Sequence, residues 1–252
     1  MTRGRVRIDR LLVERGLAPS RERAQRLVMA GDVLADDHPV TKPGSLVATD
    51  AVVRLRTEPA PYVSRGGEKL AGALDAFCLD VDGQTALDIG ASTGGFTDCL
   101  LRRGARTVIA LDVGYGQLAW TLRTDPRVVV LDRVNVRALR ADQLPAVPNL
   151  ATVDVSFISL TLVLPVIAGV VGEGGTIVAL VKPQFEVGRD HVGKGGVVRD
   201  PALRAAAVAR VRTAADKMGL TVQGEAESVL PGPAGNREVF LWLSRGPADR
   251  SA

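Results

Sequence analysis

The run Thr85-Ala-Leu-Asp-Ile-Gly-Ala-Ser-Thr-Gly-Gly-Phe96 constrains the fold of this chain more than any other stretch. A short apolar strand leads into Asp88 and Gly90, a polar turn follows, and Gly94-Gly95 opens the helical pattern Phe96–Arg103. Glycines at a strand-to-helix turn let a ligand lie against bare backbone, with a helix N-terminus beneath it. The next apolar strand, Thr107–Leu111, ends in Asp112, placed along the chain where such sites grip a ribose diol. The spacing departs from the dinucleotide fingerprint, because Gly90 and Gly94 stand four residues apart rather than two. An ordinary tight turn explains the glycines alone; Asp112 is what points to a nucleotide-like ligand.

Around this turn, strand-like and helix-like segments alternate to the end of the chain. Strands are expected near 85–89, 107–111, 127–131, 150–155, 175–181, 220–229 and 238–243, and helices near 96–103, 117–123, 160–171 and 202–218. A further helix opens in Tyr62–Leu70 and runs to about Phe77. Such alternation predicts an α/β fold, a parallel sheet with helices on both faces. In an open sheet of that kind the ligand crevice lies at the carboxyl ends of the strands. Two charged residues stand at such ends, Asp154 after Ala151–Val153 and Lys182 after Thr176–Val181.

Lys182 draws a second argument from composition. Only five of the 32 basic residues are lysine: Lys42, Lys69, Lys182, Lys194 and Lys217. Arginine does not deprotonate in a protein, whereas lysine does when desolvated or set beside another cation. A lysine kept at a strand end is therefore a candidate base, with a surface lysine as the plain alternative.

Charge divides the chain in two. Residues 1–57 carry 11 Lys+Arg against 7 Asp+Glu, whereas the rest carries 21 of each, so the whole surplus of four lies in the first fifth. A basic module on a neutral body suggests docking to a polyanion, against the alternative of a solvated charged face. Within it, Ile8, Leu11, Leu12 and Leu17 have helix-like spacing, interleaved with Arg7, Arg10 and Arg15. Ser20 reads as the N-cap of a second helix carrying Arg21, Arg23 and Arg26, with Leu27 and Val28 turned inward and Gly31 ending it. Strand-like runs follow at Val33-Leu34 and Ala51–Leu55. Thr57-Glu-Pro-Ala-Pro61 breaks helix and strand and reads as a stiff linker. The expected division is 1–57, a linker at 58–64, and a body at 65–252.

Other classes find little support. No apolar run approaches the roughly 18 residues of a membrane span. The N-terminus, with Arg3, Arg5 and Arg7, lacks the apolar stretch of a signal peptide. Cys78 and Cys99 have no metal or disulfide spacing, and His38 and His191 suggest no role. A soluble cytoplasmic protein is the expectation.

Several motifs carry resemblances. Asp88 before the Gly90/Gly94 turn resembles the S-adenosylmethionine loop of class I methyltransferases. Arg7-Ile-Asp-Arg-Leu-Leu12, Ser20–Leu27 and Gly31-Asp-Val33 resemble the RNA-binding domain named after ribosomal protein S-four, over roughly residues 5–56. Tyr62–Leu70, Ala91–Thr97, Asp112–Leu118, Asp154–Leu160, Val181–Gly188, Gly193–Asp200 and Gly235–Phe240 together resemble the TlyA (hemolysin A) family across nearly the whole chain.

That resemblance implies a Rossmann-like, FtsJ-type catalytic domain that methylates a ribose 2′-hydroxyl of ribosomal RNA, in the family a cytidine on one or both subunits. It implies a catalytic tetrad of Lys69, Asp154, Lys182 and Glu238. It implies that Gly90, Ser92, Gly94, Gly95 and Phe96 surround the methionine part of S-adenosylmethionine, with Asp88 also a cofactor-binding residue. Asp112 would then take the ribose and Asp132 the adenine. Arg7, Arg10, Arg21, Arg23, Arg26 and Arg65 would meet RNA or the ribosomal subunit. No metal, membrane or protein partner is implied, because a sulfonium methyl needs no metal activation. A free lysine, with pKa about 10.4, is nearly all protonated at neutral pH. The expectation is that the sulfonium and a nearby Lys69 free Lys182 to take the hydroxyl proton, with Asp154 orienting it. Two departures from the family pattern are visible: Asp132 and Val134 where many members carry Glu and Thr, and Tyr62 where some carry Trp. An RNA-binding protein with an inactive catalytic domain, or a membrane-active hemolysin, are the competing readings.

Overall fold

The computed structural model describes residues 4–56 and 61–246; Arg3, most of the expected linker at Thr57–Pro61, and the last six residues lie outside them. The chain forms two compact units, Met1–Pro59 and Ala60–Ala252.

The first unit runs β1 (Arg5–Arg7), α1 (Ile8–Glu14), α2 (Arg21–Ala30), β2 (Val33–Ala35), β3 (His38–Pro39), β4 (Leu46–Ala48) and β5 (Val53–Leu55). Strand β1 pairs with β4, and β2 lies between β3 and β5. Ser20 caps α2 by accepting from the Arg23 amide, and Gly31 closes it in the left-handed region at φ 81°. Leu17 falls outside α1, which stops at Glu14. Its amide instead bonds the Leu12 carbonyl, and its side chain packs from the turn onto the core of Ile8, Leu12, Ala18, Ala24, Val28 and Val33.

The second unit runs α3 (Arg65–Ala76), β6 (Thr85–Ile89), α4 (Gly95–Arg102), β7 (Thr107–Asp112), α5 (Trp120–Arg123), β8 (Val128–Asp132), β9 (Leu150–Val153), α6 (Leu160–Val170), β10 (Thr176–Val181), α7 (Pro183–Glu186), α8 (Pro201–Lys217), β11 (Leu220–Glu227) and β12 (Val239–Arg245). These strands form one sheet in the order β11-β12-β10-β9-β6-β7-β8. Side chains of α3 and α4 pack on one face and those of α6 and α8 on the other, so β6 is buried along its whole length. Among the described residues no helix is long and apolar enough to cross a membrane.

Two features differ from the sequence expectation. The sheet is mixed: β12 runs antiparallel between β10 and β11. The link from β11 to β12 contains no helix to carry a crossover, and without one the chain returns antiparallel. The helix expected at 117–123 shrinks to one turn, α5, because Leu118 leaves helical geometry to pack with Leu122 onto Gly94.

Candidate active site

Strand register brings the expected catalytic residues to one edge of the sheet. Val153 of β9 pairs with Ala179 of β10, and Val181 of β10 pairs with Val239 of β12. Asp154, Lys182 and Glu238 therefore leave three neighbouring strands at the same end. Lys182 Nζ lies 2.5 Å from Asp154 Oδ1 and donates to Ser156 Oγ at 3.1 Å. Lys69 reaches in from α3 and donates to Glu238 Oε2 at 2.5 Å, in a pair buried to 8% and 1% exposure. Glu238 Oε1 is buried with no hydrogen-bond partner among the described residues. Lys69, expected to act on Lys182 as a neighbouring cation, is itself paired with Glu238.

Beside this edge is a cavity of about 520 Å³, lined by Gly90, Ser92, Asp112, Val113, Gln117, Val134, Asn135, Val136, Asp154, Ser156, Phe157 and Ile158, with Ile89, Leu111 and Val155. Sheet order reverses here: β7 follows β6 on one side and β9 lies on the other, the position where open α/β sheets hold ligands. Asp112 accepts from the amides of Ser92 at 2.8 Å and Gly114 at 2.7 Å, which fixes its carboxylate at the cavity wall.

Other expected cofactor residues do something different. Gly94, at φ 101°, is required because a Cβ would come within 2.3 Å of Leu122, and one on Gly95 would meet Ser64 at 2.3 Å. These glycines admit protein rather than ligand. Phe96 is a core ring beside Phe240. Asp88 is wholly buried and accepts from Thr97 Oγ1 at 2.6 Å and Thr152 Oγ1 at 3.1 Å. Burial pushes its carboxyl up to about 7. Asp132 accepts from Arg123 at 2.7 Å, a contact that holds its carboxyl below the usual range. None of Asp88, Gly94, Gly95, Phe96 and Asp132 lines the cavity, whereas Gly90, Ser92 and Asp112 do. Gly90 is close-packed too: at φ 83°, a Cβ there would come within 2.4 Å of the Asp154 carbonyl.

The FtsJ-like methyltransferase family matches residues 62–245, and the S4 domain matches residues 6–53. A Mycobacterium tuberculosis protein named 16S/23S rRNA (cytidine-2'-O)-methyltransferase TlyA is 52% identical over 98% of this chain and 92% of its own length. The chain belongs to the TlyA (hemolysin A) family of FtsJ-like methyltransferases. A Brachyspira hyodysenteriae relative named Hemolysin A is 42% identical over 79% of this chain and 83% of its own. A solved structure described as a hemolysin, from Streptococcus thermophilus, is 42% identical, covers 96% of this chain and 89% of its own, and has a TM-score of 0.76.

Sequence reasoning missed several residues of this TlyA-family site. Glu186, four residues after Lys182, is buried and accepts from Ser159 Oγ at 2.6 Å and the Leu160 amide at 2.8 Å. It thereby caps α6 and latches the Lys182 loop to the loop bearing Asp154, Ser156 and Phe157. Phe157, 92% exposed at φ 64°, packs on Phe185 across the same latch, with ring centroids 5.2 Å apart. Buried Asn236 accepts from the Val198 amide and donates to the Gly196 carbonyl, holding the glycine-rich Gly193–Asp200 segment beside the strand that starts after Glu238. All three lie inside motifs already quoted, but nothing in their spacing distinguishes a latch from a ligand contact.

Of the arginines expected to meet RNA, Arg10 pairs with Glu14 and Arg26 with Glu22 along exposed helix faces. Arg23 is exposed at the start of α2. Arg65, the first residue of α3, donates to the Pro231 carbonyl at 3.3 Å. Arg7 and Arg21 both engage Asp9.

Proposed function

We propose that this chain transfers a methyl group from S-adenosylmethionine to a ribose 2′-hydroxyl of ribosomal RNA, on a cytidine of the small subunit, the large subunit or both. The observation that carries this reading is the meeting of Lys182 and Asp154 at the rim of the cavity that Asp112 lines. The relative named for that activity matches almost the whole chain.

The cavity suits the cofactor. Its volume lies in the range typical of small-molecule sites. Asp112 sits at the end of β7, where related folds accept ribose hydroxyls, and its fixed carboxylate has lone pairs beyond the two amides it already meets. Val113, Val134, Val136 and Ile158 supply apolar wall for the adenine, a role we transfer to them from Asp132. Bound there, S-adenosylmethionine supplies an electrophilic methyl carbon on a neutral-leaving sulfide.

The chain's own residues do the rest. Lys182 accepts the 2′-hydroxyl proton; Asp154 and Ser156 hold Nζ in place. Glu238, paired with Lys69 and sealed from solvent, holds the strand end beside which Lys182 and Asp154 act. Exposed Phe157 at the cavity mouth offers a face to the target base. The first unit, with its charge surplus, holds neighbouring RNA, and the protein works on ribosomes in the cytoplasm.

The test is methyl transfer from labelled S-adenosylmethionine to purified, unmodified small and large subunits, with Lys182→Ala alongside. Label recovered as a 2′-O-methylcytidine, and absent with the variant, is the expected result. Cofactor binding with no label on either subunit overturns the reading.

A further inference from the structure

In the first unit, one carboxylate is placed unlike any other. Asp9, the second residue of α1, is fully buried. Its Oδ1 accepts from Arg7 Nε at 3.0 Å, and its Oδ2 from Arg7 Nη2 at 2.8 Å, Arg21 Nε at 3.1 Å and Gln25 Nε2 at 3.1 Å. Arg7 ends β1, whereas Arg21 and Gln25 lie one turn apart on α2, so a single side chain joins three elements.

The charges do not balance. Two guanidiniums share one carboxylate, which leaves the cluster with one net positive charge. Both side chains reach solvent, at 46% and 60% exposure. Among the described residues, Arg7 Nη1 and both terminal nitrogens of Arg21 have no hydrogen-bond partner. Four of the unit's other arginines contrast with this. Arg10, Arg26 and Arg54 each meet an acid of their own, and Arg15 donates to the carbonyls of Thr49 and Ala51.

A buried acceptor that orients two guanidiniums and leaves their outer N–H groups free builds a receptor for an oxyanion, because such forks match phosphate geometry. We propose that Asp9 is a positioning residue that holds Arg7 and Arg21 together as a receptor for one phosphate of the RNA backbone. This rests on the reading that the first unit holds RNA. Phosphate at the pair completes the charge balance, and the rigid fork lowers the ordering cost of binding.

The experiment measures binding of the full chain to unmodified ribosomal RNA over a salt series. Arg7→Ala with Arg21→Ala should weaken binding about tenfold and lower the salt slope by about one, the signature of one lost phosphate contact. Asp9→Asn should reproduce most of that loss and add nothing in the triple variant. Arg21→Lys, which keeps the charge but lacks the fork that meets Asp9 and faces outward at once, should bind more weakly than wild type. Wild-type binding by Asp9→Asn, additive loss in the triple variant, or wild-type binding by Arg21→Lys each overturns the proposal. Wild-type affinity in the double arginine variant also overturns the proposal, whereas wild-type affinity after Arg10, Arg23 and Arg26 are replaced as well would mean that the reading of this unit as an RNA holder fails.

Discussion

Two lysine–carboxylate pairs stand at the same sheet edge with the same 2.5 Å contact, and their surroundings differ. Lys69–Glu238 is sealed at 8% and 1% exposure, between α3 and the start of β12. Lys182–Asp154 is open at 12% and 24%, and its acid forms part of the cavity wall. A buried pair resists the loss of either member, because the survivor is left as an uncompensated charge. A pair that water and substrate can reach tolerates the loss and is free to exchange a proton. Identical chemistry at identical distance therefore divides into a pair that holds the edge together and a pair that, on the proposed function, reacts.

The sharpest break of this comparison is Lys182→Ala. General-base assistance contributes about 10² to 10⁴ in rate, so transfer should fall by about three orders of magnitude. Thermal stability and S-adenosylmethionine affinity should stay close to wild type. Lys182→Arg should be as inactive, since arginine keeps the charge without accepting a proton. Full single-turnover activity in the arginine variant would remove Lys182 from the role of base.

The sealed pair should respond in the opposite sense. Lys69→Met keeps most of the side-chain volume but leaves Glu238 buried and unpaired, at a cost of about 3–5 kcal/mol. Replacing Glu238 as well, in Lys69→Met with Glu238→Leu, should recover much of that stability while activity stays lost. Chemical denaturation compares the two. Equal destabilisation by Lys182→Ala and Lys69→Met would erase the distinction drawn above.

Glu186 tests whether the open pair depends on a support behind it. Removing its carboxylate in Glu186→Ala leaves the Leu160 amide and Ser159 hydroxyl without their partner, worth about 1–3 kcal/mol. The catalytic rate should fall more than the Michaelis constant rises, because Lys182 and Asp154 lose their common brace. Glu186→Gln, which still accepts from one and donates to the other, should restore most of both. No rescue by glutamine would mean the site needs the charge rather than the latch.

Much of this was legible from residues that mark strand ends. Asp112, Asp154 and Lys182 each follow an apolar run, and a parallel sheet places such ends together whatever the details of packing. Ser20 and Gly31 marked the ends of α2 through local backbone chemistry. What the sequence hid depends on where side chains point after the chain closes. The glycines 94 and 95 are explained by Leu118, Leu122 and Ser64, distant or unremarkable in sequence, rather than by a ligand. Asp132, which the resemblance assigns to the adenine, is met by Arg123 in the fold, and no spacing announces that pair. Nothing in the sequence sets Asp9 apart from any acid in a helix first turn; only the folding of β1 and α2 around it reveals what it holds.

Asp88 extends the comparison to another buried acid, one with hydroxyls for partners in place of a cation. Burial raises its carboxyl to about 7, only partly offset by the Thr97 and Thr152 hydroxyls, while an unfolded aspartate titrates near about 3.9. Between those values the folded protein retains a proton that the unfolded chain has released. Stability should therefore fall as pH rises from about 4 to about 7, by up to about 1.4 kcal/mol per pH unit, and level off above. Asp75, Asp125 and Asp132, each lowered by a guanidinium, act with the opposite sign and mainly below pH 4. Asp88→Asn keeps an oxygen for the threonine hydroxyls but does not titrate, so its stability should be flatter across that window. Denaturation of both proteins at pH 4.5, 5.5 and 6.5 measures the difference. Parallel profiles would mean that Asp88 stays ionised in the fold, with the two threonine hydroxyls sufficient to hold a charge where Glu238 needs a lysine.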